Sequence, residues 1–327
     1  MLRGAKVLVA GGTGFLGTHL ALRLVREGAS VRATRRQRPV QITDPAIEYV
    51  EADLRRPEDC ARAVAGMEFV LMCAANTSGA AVMRTDPLAH VSPNVVMNAH
   101  ILEAAYRAGV KKFLFISSGA AYPPTGARPV AEHEMFDADP YDGYFAVAWM
   151  KRYAEVLCRT YAEKIPRRMA TCVVRPSNVF GPWDKYDFAT SHVTAATIRR
   201  VAERQSPIEM WGTGEDVRDL IYIDDFVEGL LRAFQRPEDY YVVNICSGTG
   251  VSVKQILEVA LRVDGYMNAD VRFDPAKPST IPVRLIDGSK AARELGFTPK
   301  VSLEEGLRRT LAWYKKHHLG MEPPTAS

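Results

Sequence analysis

The first chemistry visible in the chain is phosphate binding. The run KVLVAGGTGFLGTHLALRLVREG carries an apolar strand into a glycine-rich turn and then into a helix. Gly11 permits the tight turn, Gly14 lets the backbone approach a pyrophosphate, and Gly17 lets the helix pack closely on the strand. The free amides and dipole of the helix N-terminus then favour negative charge. Thr13, Phe15 and Leu16 of the same turn are expected along the dinucleotide. The second strand ends in VRATRRQR, where an NAD-binding protein usually offers an acid to the ribose hydroxyls. Arg35 or Arg36 in that place pairs with a 2′-phosphate and favours NADP, with NAD as the alternative. Asp53 and Leu54 in EADL sit where such folds contact adenine, and Ala74 and Ala75 in CAAN give small residues beneath the cofactor. Asn94 and Pro176 complete the expected cofactor contacts.

Those residues need a frame that brings them to one edge. Strand-like runs at Lys6–Ala10, Ser30–Thr34, Ile47–Glu51, Phe69–Ala74, Lys112–Ser117 and Thr171–Arg175 alternate with helical stretches near Gly14–Glu27, Pro57–Ala65, Asn94–Ala108 and Tyr144–Glu163. Continuous apolar strands separated by helices predict a parallel sheet covered on both faces, because parallel strands need crossovers. The fold class is therefore α/β, a doubly wound Rossmann sheet with a smaller, interleaved substrate-binding lobe. Residues 1–180 are expected to form the dinucleotide-binding domain, with a return segment at about 220–248. Residues 181–219 and 249–320 are expected to form the lobe, and 321–327 a tail.

At 327 residues and 47% hydrophobic, the chain is long enough for such a core and too apolar for disorder. The net charge of +4, with acids and bases interspersed, suits a phosphate-bearing small molecule and falls short of a nucleic-acid-binding profile. The five cysteines lack metal-type spacing and sit mostly in apolar runs, which points to buried thiols in a reducing cytoplasm and to no metal site. No apolar run is long enough to span a membrane.

With FLFISSGAAYP, RPSNVFGPWDKYDFATSHV, EMWGTGEDVRDLIYIDDFVEGL, VNICSGTGVSV and LGFTPKVSLEEGLRRTLAWY in view, the chain resembles the extended short-chain dehydrogenases over nearly its whole length. That family holds nucleotide-sugar epimerases, dehydratases and reductases, and the likeness is strongest to its GDP-sugar members. The resemblance implies that Ser118 is the catalytic serine and that Lys151, followed four residues later by Glu155, is the catalytic lysine. It implies that Asn178, Arg218, Arg284 and Trp211 hold the sugar nucleotide, arginine suiting a diphosphate through its paired planar donors. His192 matches a histidine that some members use as acid and base in epimerisation, a task a neutral imidazole can perform near neutral pH. A homodimer through the helix of Lys151 and its neighbour is also implied, and YFAVAWMKRYAEVL is more apolar than one core-facing stripe requires.

Two positions depart from the family. Val147 stands four residues before Lys151, where the family has a tyrosine, and Ala120 stands where a cysteine partners the histidine. Among nearby phenols Tyr144 is the preferred replacement, since at seven residues before Lys151 it shares that helix face, about 10 Å along the axis instead of about 6 Å. The expected function is an NADP-dependent epimerase or reductase of a nucleotide-linked hexose, with a GDP-sugar favoured. The alternatives are a UDP-sugar 4-epimerase, dehydratase or decarboxylase that uses its cofactor transiently, and a protein that binds both ligands without chemistry.

Overall fold

The computed structural model describes residues 2–77, 86, 88–188, 190–277 and 281–321, so that residues 322–327 of the expected tail lie outside it. Six apolar strands, β1 (Lys6–Ala10), β2 (Ser30–Arg35), β3 (Ile47–Glu51), β4 (Phe69–Met72), β5 (Lys112–Ile116) and β6 (Ala170–Pro176), lie parallel in the order β6-β5-β4-β1-β2-β3. The chain then leaves this sheet for β7 (Asn178–Phe180), β8 (Ile208–Trp211) and β9 (Val217–Tyr222), and returns as β10 (Tyr240–Ile245) to pair with β6. Alternate side chains of the seven strands fill two separate cores. Val7, Val9, Leu71, Ile116 and Val174 enter one, and Leu8, Ala10, Met72, Phe115 and Val173 the other. This is the doubly wound α/β fold.

The helices follow from the same pattern. The sheet is crossed by α1 (Phe15–Arg26), α2 (Pro57–Val64), α3 (Leu88–Arg107) and α4 (Phe145–Arg159), and α5 (Val193–Ala202) and α6 (Ile223–Phe234) follow. Beyond β11 (Gly250–Ser252) come α7 (Val253–Asp264), β12 (Val271–Asp274), β13 (Val283–Arg284), α8 (Ser289–Leu295) and α9 (Leu303–Leu319). A smaller sheet gathers β7, β11 and β13 around β9, and β8 pairs with β12. Within the expected return segment 220–248, then, Tyr240–Ile245 joins the main sheet, whereas the strand ending at Tyr222 belongs to the smaller one. Pro93 lies inside α3, which starts at Leu88 and not near Asn94, because a proline early in a helix forfeits few backbone bonds. The stretch expected to end at Glu163 leaves the α conformation after Arg159 and closes in one wider turn over Thr160–Lys164.

One ion pair crosses the core beneath the C-terminal edge of the sheet. Glu155 of α4 meets Arg175 of β6 at 2.6 Å, their side chains 1% and 3% exposed. Arg175 also donates to the Tyr122 hydroxyl at 2.8 Å and to the Glu132 carbonyl at 2.7 Å, and the Ser117 hydroxyl donates to Glu155. A buried pair is most costly when halved. Glu155→Leu alone is expected to lower unfolding free energy by about 3–5 kcal/mol, and Glu155→Leu with Arg175→Met by distinctly less. Urea unfolding monitored by circular dichroism checks this, and equal midpoints for the single variant and the parent would refute it.

Candidate active site

The glycine turn has the shape a dinucleotide needs. Gly11 adopts φ +86°, and a Cβ there would lie 2.6 Å from the backbone of Ala74. A Cβ on Gly17 would lie 2.2 Å from the Gly11 carbonyl oxygen, so only glycine lets α1 approach β1 this closely. At Gly14 the sole near neighbour would be the Gly11 oxygen at 3.3 Å, which leaves a cradle open in front of the helix N-terminus. The hydroxyl of Thr34 braces the turn by accepting from the Gly11 amide at 2.7 Å. Thr13 is buried, and Phe15 and Leu16 are half-buried beside it.

Around the expected adenosine end, Arg35 and Arg36 are exposed, 3.8 Å from Glu51 and 4.0 Å from Asp53 respectively. Asp53 is also bonded by Arg55, at 2.9 and 3.1 Å through Nε, and this partner holds its carboxyl well below the usual range. Leu54 is buried, Ala74 is half-buried and Ala75 exposed. Asn94 is buried and brackets the Asn76 backbone with bonds of 2.8 and 2.9 Å, so its side chain shapes the end of β4. Pro176 ends β6, and its carbonyl lies 3.0 Å from where a Cβ on Gly119 would stand. Arg38 escaped the sequence reading; half-buried, it donates to the Trp183 carbonyl at 3.3 Å.

The residues expected to react come from the end of β5, from α4 and the turn before it, and from the start of α5. Ser118 is half-buried at the strand end, its Oγ accepting from the Ala120 amide at 3.1 Å. Lys151 Nζ donates to the Ile116 carbonyl at 2.8 Å and lies 4.8 Å from the Phe115 ring centre. Burial pushes its pKa down to about 8 against the opposing pull of Glu155. Val147, one turn earlier, is half-buried and without a proton to give. Tyr144 ends a short 3₁₀ turn at φ −115°, ψ 4°, outside the α-helix, and packs on the cluster of Ala121, Tyr122 and Ile286. Tyr122 is fully buried and donates to Asn244 at 2.6 Å, whereas Tyr153 is 55% exposed. His192 caps the start of α5; its imidazole is open to solvent yet crowded by protein, and that desolvation together with the Lys185 charge lowers its pKa.

On the opposite wall, Arg218 of β9 and Arg284 of β13 are register partners in adjacent parallel strands, 7% and 8% exposed. Arg218 donates to Asp216 at 3.2 Å. Arg284 donates to the Tyr122 and Pro123 carbonyls at 3.1 and 3.0 Å and forms no ion pair among the described residues, while its Nε is buried without a partner. The two arginines are thus unlike: Arg218 has a carboxylate partner in Asp216, and Arg284 is held by carbonyls. Asn178 donates to the Asp219 carbonyl at 3.2 Å, and Asp219 holds the Ser247–Gly248 turn. Trp211 ends β8 at the surface, 45% exposed, on the separate two-stranded sheet. No cluster of three or more metal-ligating side chains occurs among the described residues.

Comparison with known proteins places this arrangement. Residues 7–246 match the model of the NAD dependent epimerase/dehydratase family. The chain is similar to a probable GDP-L-fucose synthase 1 of Oryza sativa subsp. japonica, at 30% identity over 95% of this chain and 92% of that protein. It is similar to GDP-mannose 3,5-epimerase of Arabidopsis thaliana, at 28% identity over 95% of this chain and 82% of the relative. A structure of UDP-glucose 4-epimerase from Thermotoga maritima with UDP-glucose has a TM-score of 0.85 and 28% identity, covering 95% of this chain and 99% of the other.

The low pKa of Lys151 gives the site a pH signature. The side chain is an ammonium donor below about 8 and neutral above it. Affinity for the nicotinamide cofactor is therefore expected to fall as pH rises through that value, with Lys151→Met weaker throughout and flat across the same range. Calorimetric titrations at a series of pH values measure this, and a parent affinity that stays level through the transition would contradict it.

Proposed function

As this chain belongs to the NAD dependent epimerase/dehydratase family and is an NAD(P)-dependent nucleotide-sugar epimerase/reductase, we propose that its cofactor is NADP and its substrate a GDP-hexose. Arg284 carries the substrate half of this reading: buried, without an ion pair among the described residues and with its Nε unpartnered, it holds the Tyr122 and Pro123 carbonyls in the loop after Ser118, where a diphosphate would supply its anion. Arg35 and Arg36, exposed where an acid would select NAD, support the cofactor half. The relatives with similarity over nearly the full chain, named for GDP-sugars, support the base.

In the proposed mechanism Gly11, Gly14 and the start of α1 seat the pyrophosphate, and Lys151 donates to the nicotinamide ribose. When bound, the nicotinamide exchanges hydride with a hexose carbon. Ser118 hydrogen-bonds the oxygen on that carbon. Val147 holds no proton, so Tyr144 supplies one from the non-helical turn ahead of α4, on the side of the pocket that Arg284 lines. His192, whose pKa is lowered by desolvation and by the Lys185 charge, takes and returns a proton at an adjacent carbon. Ala120 also favours a second reading. Without the partner of His192, two-base epimerisation fails while transient oxidation at one carbon survives, as a UDP-sugar 4-epimerase, dehydratase or decarboxylase would require. Val147 gives the third reading, a protein that binds without turnover.

Incubation with GDP-, UDP-, CDP- and dTDP-hexoses, followed by nicotinamide absorbance and product NMR, separates the three. Consumption of a GDP-hexose with matching loss of NADPH is the expected result; inversion of a UDP-hexose with no net absorbance change favours the second. Arg284→Met is expected to raise KM for the sugar by roughly tenfold or more and leave NADP(H) binding unchanged. Tyr144→Phe is expected to lower kcat by about 10²–10⁴. Binding of neither ligand class would overturn the proposal.

The chain is further proposed to act as a homodimer in the cytoplasm. Phe145, Trp149, Tyr153 and Val156 form an exposed apolar stripe along α4, and Val95 and Val96 of α3 are partly exposed as well. All five cysteines are free, as a reducing compartment allows. No described helix is long and apolar enough to cross a membrane. Light scattering is expected to give twice the chain mass for the parent and a single chain for Trp149→Asp with Tyr153→Asp; a monomeric parent refutes the dimer.

A further inference from the structure

The loop that follows Ser118 is held from three directions by arginines. Arg175 donates to the Tyr122 hydroxyl at 2.8 Å, and Arg284 to the Tyr122 and Pro123 carbonyls at 3.1 and 3.0 Å. The third arginine has no place in the mechanism above. Arg152 follows Lys151 on α4, is 1% exposed, and donates through Nε to the Ala121 carbonyl at 2.9 Å. Its guanidinium stacks 4.8 Å from the Trp149 ring and 5.8 Å from the Phe136 ring. It forms no ion pair among the described residues, and its Nη2 is buried without a partner.

Such a group is poor value for stability. Asp139 and Glu155 act on Arg152 only at longer range, and burial outweighs their pull and lowers its pKa. A buried guanidinium without a direct carboxylate partner keeps much of its desolvation cost, and an apolar side chain of similar volume is often as stable or more so. Leaving it in place weakens the fold unless the contact serves something else, and stability is commonly surrendered where activity needs a fixed geometry. The contact is one turn of chain from the reactive serine. Ser118 Oγ accepts from Ala120, and the carbonyl that Arg152 holds belongs to the next residue. Phe115, Ser117 and Ser118 belong to β5 and its end, whereas Lys151 and Arg152 belong to α4, so this bond fixes the distance between the serine loop and the helix of the lysine.

We propose that Arg152 is a positioning residue that sets the Ser118 hydroxyl against Lys151 by holding the Ala121 carbonyl. The inference rests on the active-site reading above for its kinetic consequence, and on the hydrogen bond alone for its structural one.

Arg152→Met and Arg152→Lys test it. For Arg152→Met, thermal unfolding is expected at or above the parental temperature, while amides at residues 119–122 exchange hydrogen about tenfold faster in mass spectrometry. With whichever sugar nucleotide the panel shows to react, kcat is expected to fall about tenfold or more, with KM and the NADP(H) Kd within about twofold of the parent. Arg152→Lys, which keeps one donor, recovers part of both losses. Unchanged exchange in the loop overturns the proposal, as does a fall in melting temperature that tracks the loss of activity. A parent that turns over no sugar sinks the enzymatic reading and leaves the exchange result to decide the clamp.

Discussion

The buried pair of Glu155 and Arg175 is the constraint on which the geometry of the candidate site depends. Its two members come from α4 and β6, and the strand between them in function, β5, is tied in through the Ser117 hydroxyl. Lys151 lies one turn ahead of Glu155, and Ser118 follows Ser117. A single ion pair thus sets the helix that bears the lysine against the strand that bears the serine. The low dielectric that makes it costly also makes its geometry stiff, because neither charge has water to turn to.

That stiffness reaches Lys151, whose Nζ is turned to the Ile116 carbonyl and the Phe115 ring, with Val147 half-buried one turn earlier. Burial lowers the pKa of Lys151 against the opposing pull of Glu155. Tyr144 packs beside Ala121, Tyr122 and Ile286, because the chain at Asp142–Tyr144 has not yet entered the α-helix. Helical geometry extended backward from Lys151 would place that ring elsewhere.

What sequence reveals depends on how local the cause is. The glycine turn was legible because its chemistry is carried by backbone within one strand–turn–helix, and β1 and β3 matched their expected bounds since apolar or alternating runs set them alone. Boundaries governed by something remote were not. Pro93 reads as a helix boundary until α3 is seen to start a full turn before it. Gly250–Ser252 and Val283–Arg284 have no strand signature of their own and become strands by pairing with β9. Arg175 offered a usable signal, a lone charge inside TCVVRP, since a charge in a strand buried on both faces must have a buried partner. Arg38 and Arg152 offered none, because their partners are carbonyls distant in sequence.

Arg218 and Arg284 stand out in the sequence only through the family resemblance, whereas the glycine turn stands out from its own residues. Each residue alone is an ordinary arginine at the end of a short strand. Their meaning comes from the register of β9 with β13, which sets two like charges side by side where little water reaches them. Asp216, paired with Arg218, offsets part of that repulsion, while Arg284 turns to the neutral carbonyls of Tyr122 and Pro123. The register of β9 with β13 thereby ties the small sheet to the loop of Ser118.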